Sequence, residues 1–175
     1  MKNCAAIVVT GVLAAILAFP GAIKAESVTE PLTDEDFIIA YGDIEAALGD
    51  NPETLVEEIA ATDEQEITVE EGYHNAFVSD VKAYNGTEIT VQSMPADEGE
   101  QITGIYIDTD TVHTRRGIGV GSTLSQVTQV YGKDYMRFLD TVMYMDVNRR
   151  VLIFQIDNNK VISYAILQDS DPSAK

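Results

Sequence analysis

One arrangement of residues is written twice in this chain, and it restricts the fold more than any other feature. Residues 44–60 read IEAALGDNPETLVEEIA, and residues 118–132 read IGVGSTLSQVTQVYG. Set 72 positions apart, Gly49 falls on Gly121, Asn51 on Thr123, Leu55 on Val127 and Ile59 on Tyr131. Asn51 followed by Pro52 is a strong helix start. The asparagine side chain accepts from a free backbone N–H, and proline has no N–H to leave unpaired. Thr123 and Gln126 have the spacing of a capping box. Leu124, Val127, Val130 and Tyr131 then recur at helical spacing, and Gly132 ends the run.

The segments after the two helices also match. After the first come YHNAFVS, VKAYNGTEITVQSM and QITGIYIDT; after the second come TVMYMDV, RRVLIFQI and KVISYAIL. Asn85-Gly86 is a two-residue hairpin signal, and Asn158-Asn159 marks a turn. The pattern predicts an α+β fold of two tandem repeats, each a short helical element packed on an antiparallel β-meander. Repeat 1 spans 37–108 and repeat 2 spans 109–168. Residues 26–36 read as an acidic, flexible leader, and 169–175 as a frayed tail. Phe37 to Ala47 fits either a hairpin turning at Gly42-Asp43 or a helix capped by Thr33, with the hairpin favoured.

The glycines at 117, 119 and 121 do not bind a nucleotide. A dinucleotide fingerprint needs G-x-G-x-x-G, and Ser122 or Leu124 stands where the third glycine belongs. A phosphate-binding loop needs Gly-Lys-Ser/Thr ahead of its helix, whereas Gly132-Lys133-Asp134 comes after it. The glycines instead let the chain turn tightly from a strand onto the helix.

Residues 1–25 read as a signal peptide. A basic start precedes an apolar run from Ala5 to Phe19, and Ala25 offers a small residue for cleavage, with Ala22 as the alternative. The run is short for a membrane span, so no stable membrane insertion is expected after cleavage. Cys4 lies ahead of the run, which leaves no lipidation site at its end. The mature protein is thus expected to be secreted, extracellular or associated with the cell wall. It then has no cysteine, and its stability must come from packing. A chain of this length buries roughly 70% of its unfolded surface. Its 29 acids outweigh 11 bases. From Glu26 to Gly104 there are 21 acids and one base, while from Ile105 to Lys175 there are eight of each. Such a balance excludes nucleic acid as a partner and favours solubility, cation binding or a basic partner.

The motif Thr114 to Gly132, with strands ending LIFQI and KVISYAI, resembles a known family. It is similar to the repeats of the beta-lactamase inhibitory protein and of the outer-membrane assembly lipoprotein BamE (the SmpA/OmlA group), as found in exported Gram-positive proteins. The resemblance spans Phe37 to Gln168. It implies helices packed on an antiparallel sheet whose curved surface grips another protein. No functional residue is carried over from it.

These readings lead to a secreted, non-enzymatic protein-binding module whose partner is another protein of unknown identity. A calcium-responsive surface protein is the alternative, and a hydrolase acting on cell-wall or carbohydrate substrates a further one. Asp108 and Asp110, with Asp97, Glu98 and Glu100 near in sequence, offer hard oxygen ligands for Ca²⁺; no other cofactor is expected. His74 and His113 read as strand or turn residues. Ser79, His74 and Asp80 could be drawn as a triad, but no nucleophile elbow surrounds the serine. In repeat 1 the outer face of the sheet is expected to carry Glu88, Thr90 and Gln92, because Ile89, Val91 and Met94 serve better as core. In repeat 2, Tyr144 and Tyr164 are equally suited to a partner interface or to the core.

Overall fold

The computed structural model describes residues 30–63, 67–73 and 81–168. The signal segment, His74, Ser79, Asp80 and the tail from 169 lie outside them. The described chain is α+β, with two α-helices and mostly antiparallel sheet. A 3₁₀ turn, Asp34–Phe37, leads into a hairpin of β1 (Ile38–Tyr41) and β2 (Ile44–Ala47). Helix α1 (Glu53–Asp63) comes next, then β3 (Thr68–Tyr73), β4 (Val81–Asn85), β5 (Ile89–Ala96) and β6 (Gly99–Ile107). Helix α2 (Leu124–Tyr131) precedes β7 (Met136–Phe138), β8 (Thr141–Met145), β9 (Arg150–Asp157) and β10 (Lys160–Gln168). The last strand of each group pairs with that of the other, giving one eight-stranded sheet in the order β3-β4-β5-β6-β10-β9-β8-β7.

Both helix starts arise from their caps. Asn51 Oδ1 accepts from Glu53 N at 2.8 Å. Thr123 Oγ1 accepts from Gln126 N at 3.2 Å, while Thr123 N donates to Gln126 Oε1 at 2.8 Å. Gly49 and Gly121 have φ of +95° and +89°, a region closed to most side chains. Each glycine N–H donates at 2.8 Å to a carbonyl of a final strand, Ile102 O and Val161 O respectively. The same two residues donate back, Ile102 N to Asp50 O and Val161 N to Ser122 O.

Residues paired across strands point to the same side of a sheet. One side carries Ile105, Ile107, Tyr164, Ile166, Leu152, Phe154, Val142 and Tyr144, all in one buried cluster with Phe37, Ile39, Leu55, Ile59, Val127 and Tyr131. Helices and hairpin therefore cover that face.

Of four expectations, three change and one holds. Asn85 pairs with Thr90, and Gly86 N donates to Ile89 O, so Thr87 and Glu88 form the turn rather than Asn85-Gly86. That register sets Lys82 opposite Ser93, where both reach Glu100. Asn158 and Asn159, with φ of +47° and +66°, do form the other turn. Secondly, the leader is fixed where it is described. The Arg116 guanidinium grips the buried Asp36 with two bonds, Nε to Oδ1 at 2.7 Å and Nη2 to Oδ2 at 2.6 Å. It also donates to the carbonyls of Glu30 and Pro31 and lies over the Tyr131 ring. Arg150 joins Asp34 to Asp146 and stacks on Phe37. Thirdly, the favoured hairpin holds: β1 and β2 turn at Gly42-Asp43, while the Thr33 N–H donates to Asp36 at 2.8 Å in the short turn ahead of them.

Fourthly, Tyr144 and Tyr164 keep only 4% and 2% of their surface and belong to the core. Their rings lie within an aromatic chain from Tyr131 through Tyr144 and Phe154 to Tyr164, with centroids 5.4–6.4 Å apart. Burial pushes all three hydroxyls up, that of Tyr131 to about 12. The strand register decides this, since both tyrosines pair with residues of the covered face.

These contacts set two expected outcomes. Tyr144 donates to Gly132 O at 2.8 Å within the core, whereas the Tyr164 hydroxyl is buried with no partner among the described residues. Tyr144→Phe should therefore cost about 1–3 kcal/mol, and Tyr164→Phe should be neutral or stabilising, in urea unfolding. An equal loss from both would contradict the contacts. Arg116→Met should cost about 3–5 kcal/mol because it strands a buried carboxylate, and adding Asp36→Leu should restore much of the loss. Urea midpoints of the single and double variants check it.

Candidate functional site

The uncovered side of the sheet holds the candidate site. Its composition differs between the two groups of strands. One register line crosses all eight strands on this side: Met136, Met143, Ile153, Ala165, Tyr106, Thr90, Asn85 and Thr68. From β7 to β6 it is apolar or aromatic; beyond Tyr106 it is polar. A groove of about 400 Å³ runs here, lined by Thr90, Tyr106, Ile153, Ala165 and Leu167 among others. Its depth has a simple cause. Ala165 is a small residue between Tyr106 and Ile153, and the flanking side chains stand above it.

The adjacent line is polar. Phe138 pairs with Thr141, Thr141 with Gln155, and Gln155 with Ser163. Asp108 stands one residue past the Ile107–Tyr164 pair, and its N–H donates to Glu88 O at 3.0 Å. Glu88 and Asp108 thus close one end of the groove side by side. Burial at that end pushes the Asp108 carboxyl up. At the other end Phe138 and Leu139 are 67% and 77% exposed.

Of the expected contact residues, Glu88 and Thr90 line the groove. Gln92 does not. It is 1% exposed, and with Leu167 it lies over Gly104, where a Cβ would stand 2.7 Å from Leu167 Cδ2 and 3.1 Å from Gln92 Oε1. The strand register fixes this, because Gly104 pairs with Gln92 on one side and with Leu167 on the other. Met136, Phe138, Met143, Ile153, Tyr106 and Ala165 were not legible as surface. Their signal is weak but present: in TVMYM both alternating sets are apolar, so each face of β8 must meet something apolar.

The acids expected to bind Ca²⁺ are not assembled. Asp97 and Glu98 lie before β6 and Asp108 after it, and nine residues at about 3.3 Å each hold them about 25–30 Å apart. Among the described residues no three of His, Cys, Asp and Glu come together as a metal site. Glu100 is occupied otherwise: it accepts from Lys82 Nζ at 3.0 Å, Tyr84 OH at 2.7 Å and Ser93 Oγ at 2.8 Å. This cluster ties β4, β5 and β6 together and leaves Ser93 fully buried. The glycine loop is also structural. His113 bridges to Gly119, whose missing Cβ makes room for the imidazole ring.

No helix among the described residues is long and apolar enough to cross a membrane. Comparison with protein-family models, with curated proteins and with solved structures finds no match to this chain.

The Glu100 cluster has a pH signature. The Tyr84 hydroxyl first, then Ser93 and Lys82, hold the Glu100 carboxyl below its ordinary value against the opposing effect of burial. A carboxyl lowered in the folded state stabilises above its unfolded pKa, and the contribution fades as the pH falls through the folded one. Glu100→Gln should therefore cost on the order of 1 kcal/mol at neutral pH, since the group is about a third exposed. The deficit should shrink below the ordinary glutamate pKa, as monitored by urea unfolding across pH. A deficit that does not change with pH would rule out this origin.

Proposed function

We propose that the protein is an exported, non-catalytic binding module that grips another protein with the uncovered face of its sheet. The observation that carries the reading is the apolar register line from Met136 to Tyr106 with the groove beside it. A sheet covered on one side by helices normally presents polar residues on the other. Methionines and aromatics there form an adaptable contact surface, since thioethers are flexible and polarisable and aromatic rings bring large area.

The chain is built, in this reading, from two tandem copies of one helix-and-meander unit. Support comes from the matched hydrogen bonds of Gly49 and Gly121 and from the four-plus-four strand order. Duplication explains why the two meanders meet through equivalent last strands. Export rests on the apolar run Ala5 to Phe19. A non-catalytic role is supported by the half-buried Glu100 cluster, where Lys82, Tyr84 and Ser93 all engage the one carboxylate.

The test is capture from the culture supernatant and wall extract of the producing cells. Phe138→Ser and Met143→Asp should each weaken retention of the captured protein by about 1–2 kcal/mol, with little change in melting temperature for Phe138→Ser. Retention equal to that of the wild type for both variants would move the site elsewhere.

A further inference from the structure

We infer that the groove receives an extended basic segment of the partner polypeptide, with an apolar side chain seated over Ala165 and a lysine or arginine between Glu88 and Asp108. This rests on the reading of the same face as the binding surface and adds the chemistry of what it binds.

The charge pattern points to a basic ligand. The residues lining the groove include two carboxylates, Glu88 and Asp108, and no base. The backbone bond between them holds the two like charges together. Several bases elsewhere in the fold are already held by carboxylates of this chain. Arg115 sits on Glu45, Arg116 on Asp36, Arg150 on Asp34 and Asp146, and Lys82 on Glu100. Among the described residues, Glu88 and Asp108 form no such ion pair. A pair of like charges held side by side at the end of an apolar groove favours a cation that arrives with the ligand.

The rest of the groove selects a polypeptide over a simple ion. A metal ion asks for more oxygen ligands than these two side chains bring, and the described acids form no such group. The two register lines offer different chemistry in parallel. Tyr106, Ala165 and Ile153 provide an apolar track, and Ser163, Gln155 and Thr141 provide hydroxyls and an amide for peptide N–H and C=O groups. An extended strand presents both chemistries along its length. A formal net charge of −18 also draws a basic segment toward the protein from a distance, and added salt weakens that pull.

Short fluorescent peptides that combine leucine or phenylalanine anchors with lysines provide the probe, alongside versions with each lysine replaced by glutamate or by glutamine. Fluorescence anisotropy with the whole protein should show the lysine peptides binding at least about tenfold tighter than either replacement, and weakening as salt rises. Glu88→Gln combined with Asp108→Asn should remove that preference. Gln155→Lys, at an exposed position, should repel the lysine peptides and favour the glutamate ones. Glutamine peptides that bind as well as lysine peptides, yet are lost on Phe138→Ser and Met143→Asp, would overturn the basic specificity and leave the binding face standing. Binding of every peptide that is indifferent to Phe138→Ser and Met143→Asp, or no binding by any, would overturn the inference.

Discussion

The pairing of β6 with β10 turns two four-stranded meanders into one sheet. Four residue pairs make it: Tyr164 with Ile107, Ala165 with Tyr106, Ile166 with Ile105, and Leu167 with Gly104. On the covered side these pairs bring together Tyr164, Ile107, Ile166 and Ile105, so the cores beneath the two meanders run together without a break. On the uncovered side the same four pairs place Gly104 and Ala165, the two smallest residues of the seam. Leu167 and Gln92 fill the space over Gly104, while the space over Ala165 stays open. The groove is therefore a product of the seam. A residue with a larger side chain at either position would alter both the joint and the surface.

Charge makes a second joint. The sequence concentrates acids before Gly104 and keeps most of its bases after it. Taken as composition, that is a solubility feature. In the fold, arginines of the later half reach carboxylates of the earlier half: Arg115 with Glu45 and Glu35, Arg116 with Asp36, Arg150 with Asp34. Two of these guanidiniums also lie on aromatic rings, Arg116 on Tyr131 and Arg150 on Phe37. Planar guanidinium suits both tasks at once. The asymmetry is thus partly an internal complementarity, and only the remainder is left at the surface.

What could be read from sequence was what local chemistry decides. The helix starts at Asn51 and Thr123, the stop at Gly132 and the turn at Asn158-Asn159 depend on neighbours a few residues away. The class of fold came from the order of those signals. The misplaced features depend on distant residues. Whether Tyr144 faces inward turns on its pairing with Leu152, and Tyr164 on its pairing with Phe154 and Ile107. Period-two alternation separates two faces but does not say which one the helices cover when both are apolar. The burial of Gln92 is similarly hidden: nothing in TVQSM announces that it is trapped with Leu167 over a glycine from the next strand. The leader looked mobile because its anchors, Arg116 and Arg150, lie far along the chain.

That last separation has a consequence for how the molecule comes into being. Asp36 waits 80 residues for Arg116, and Asp34 waits 116 residues for Arg150. The strand that begins the seam, β6, must likewise wait for the one strand that is made after all the others. A chain emerging from its amino end has its fastening points in hand early and their counterparts late. Loop closure over such spans is slow compared with local helix formation. The contacts that hold the first described residues are therefore among the last that an emerging chain can make.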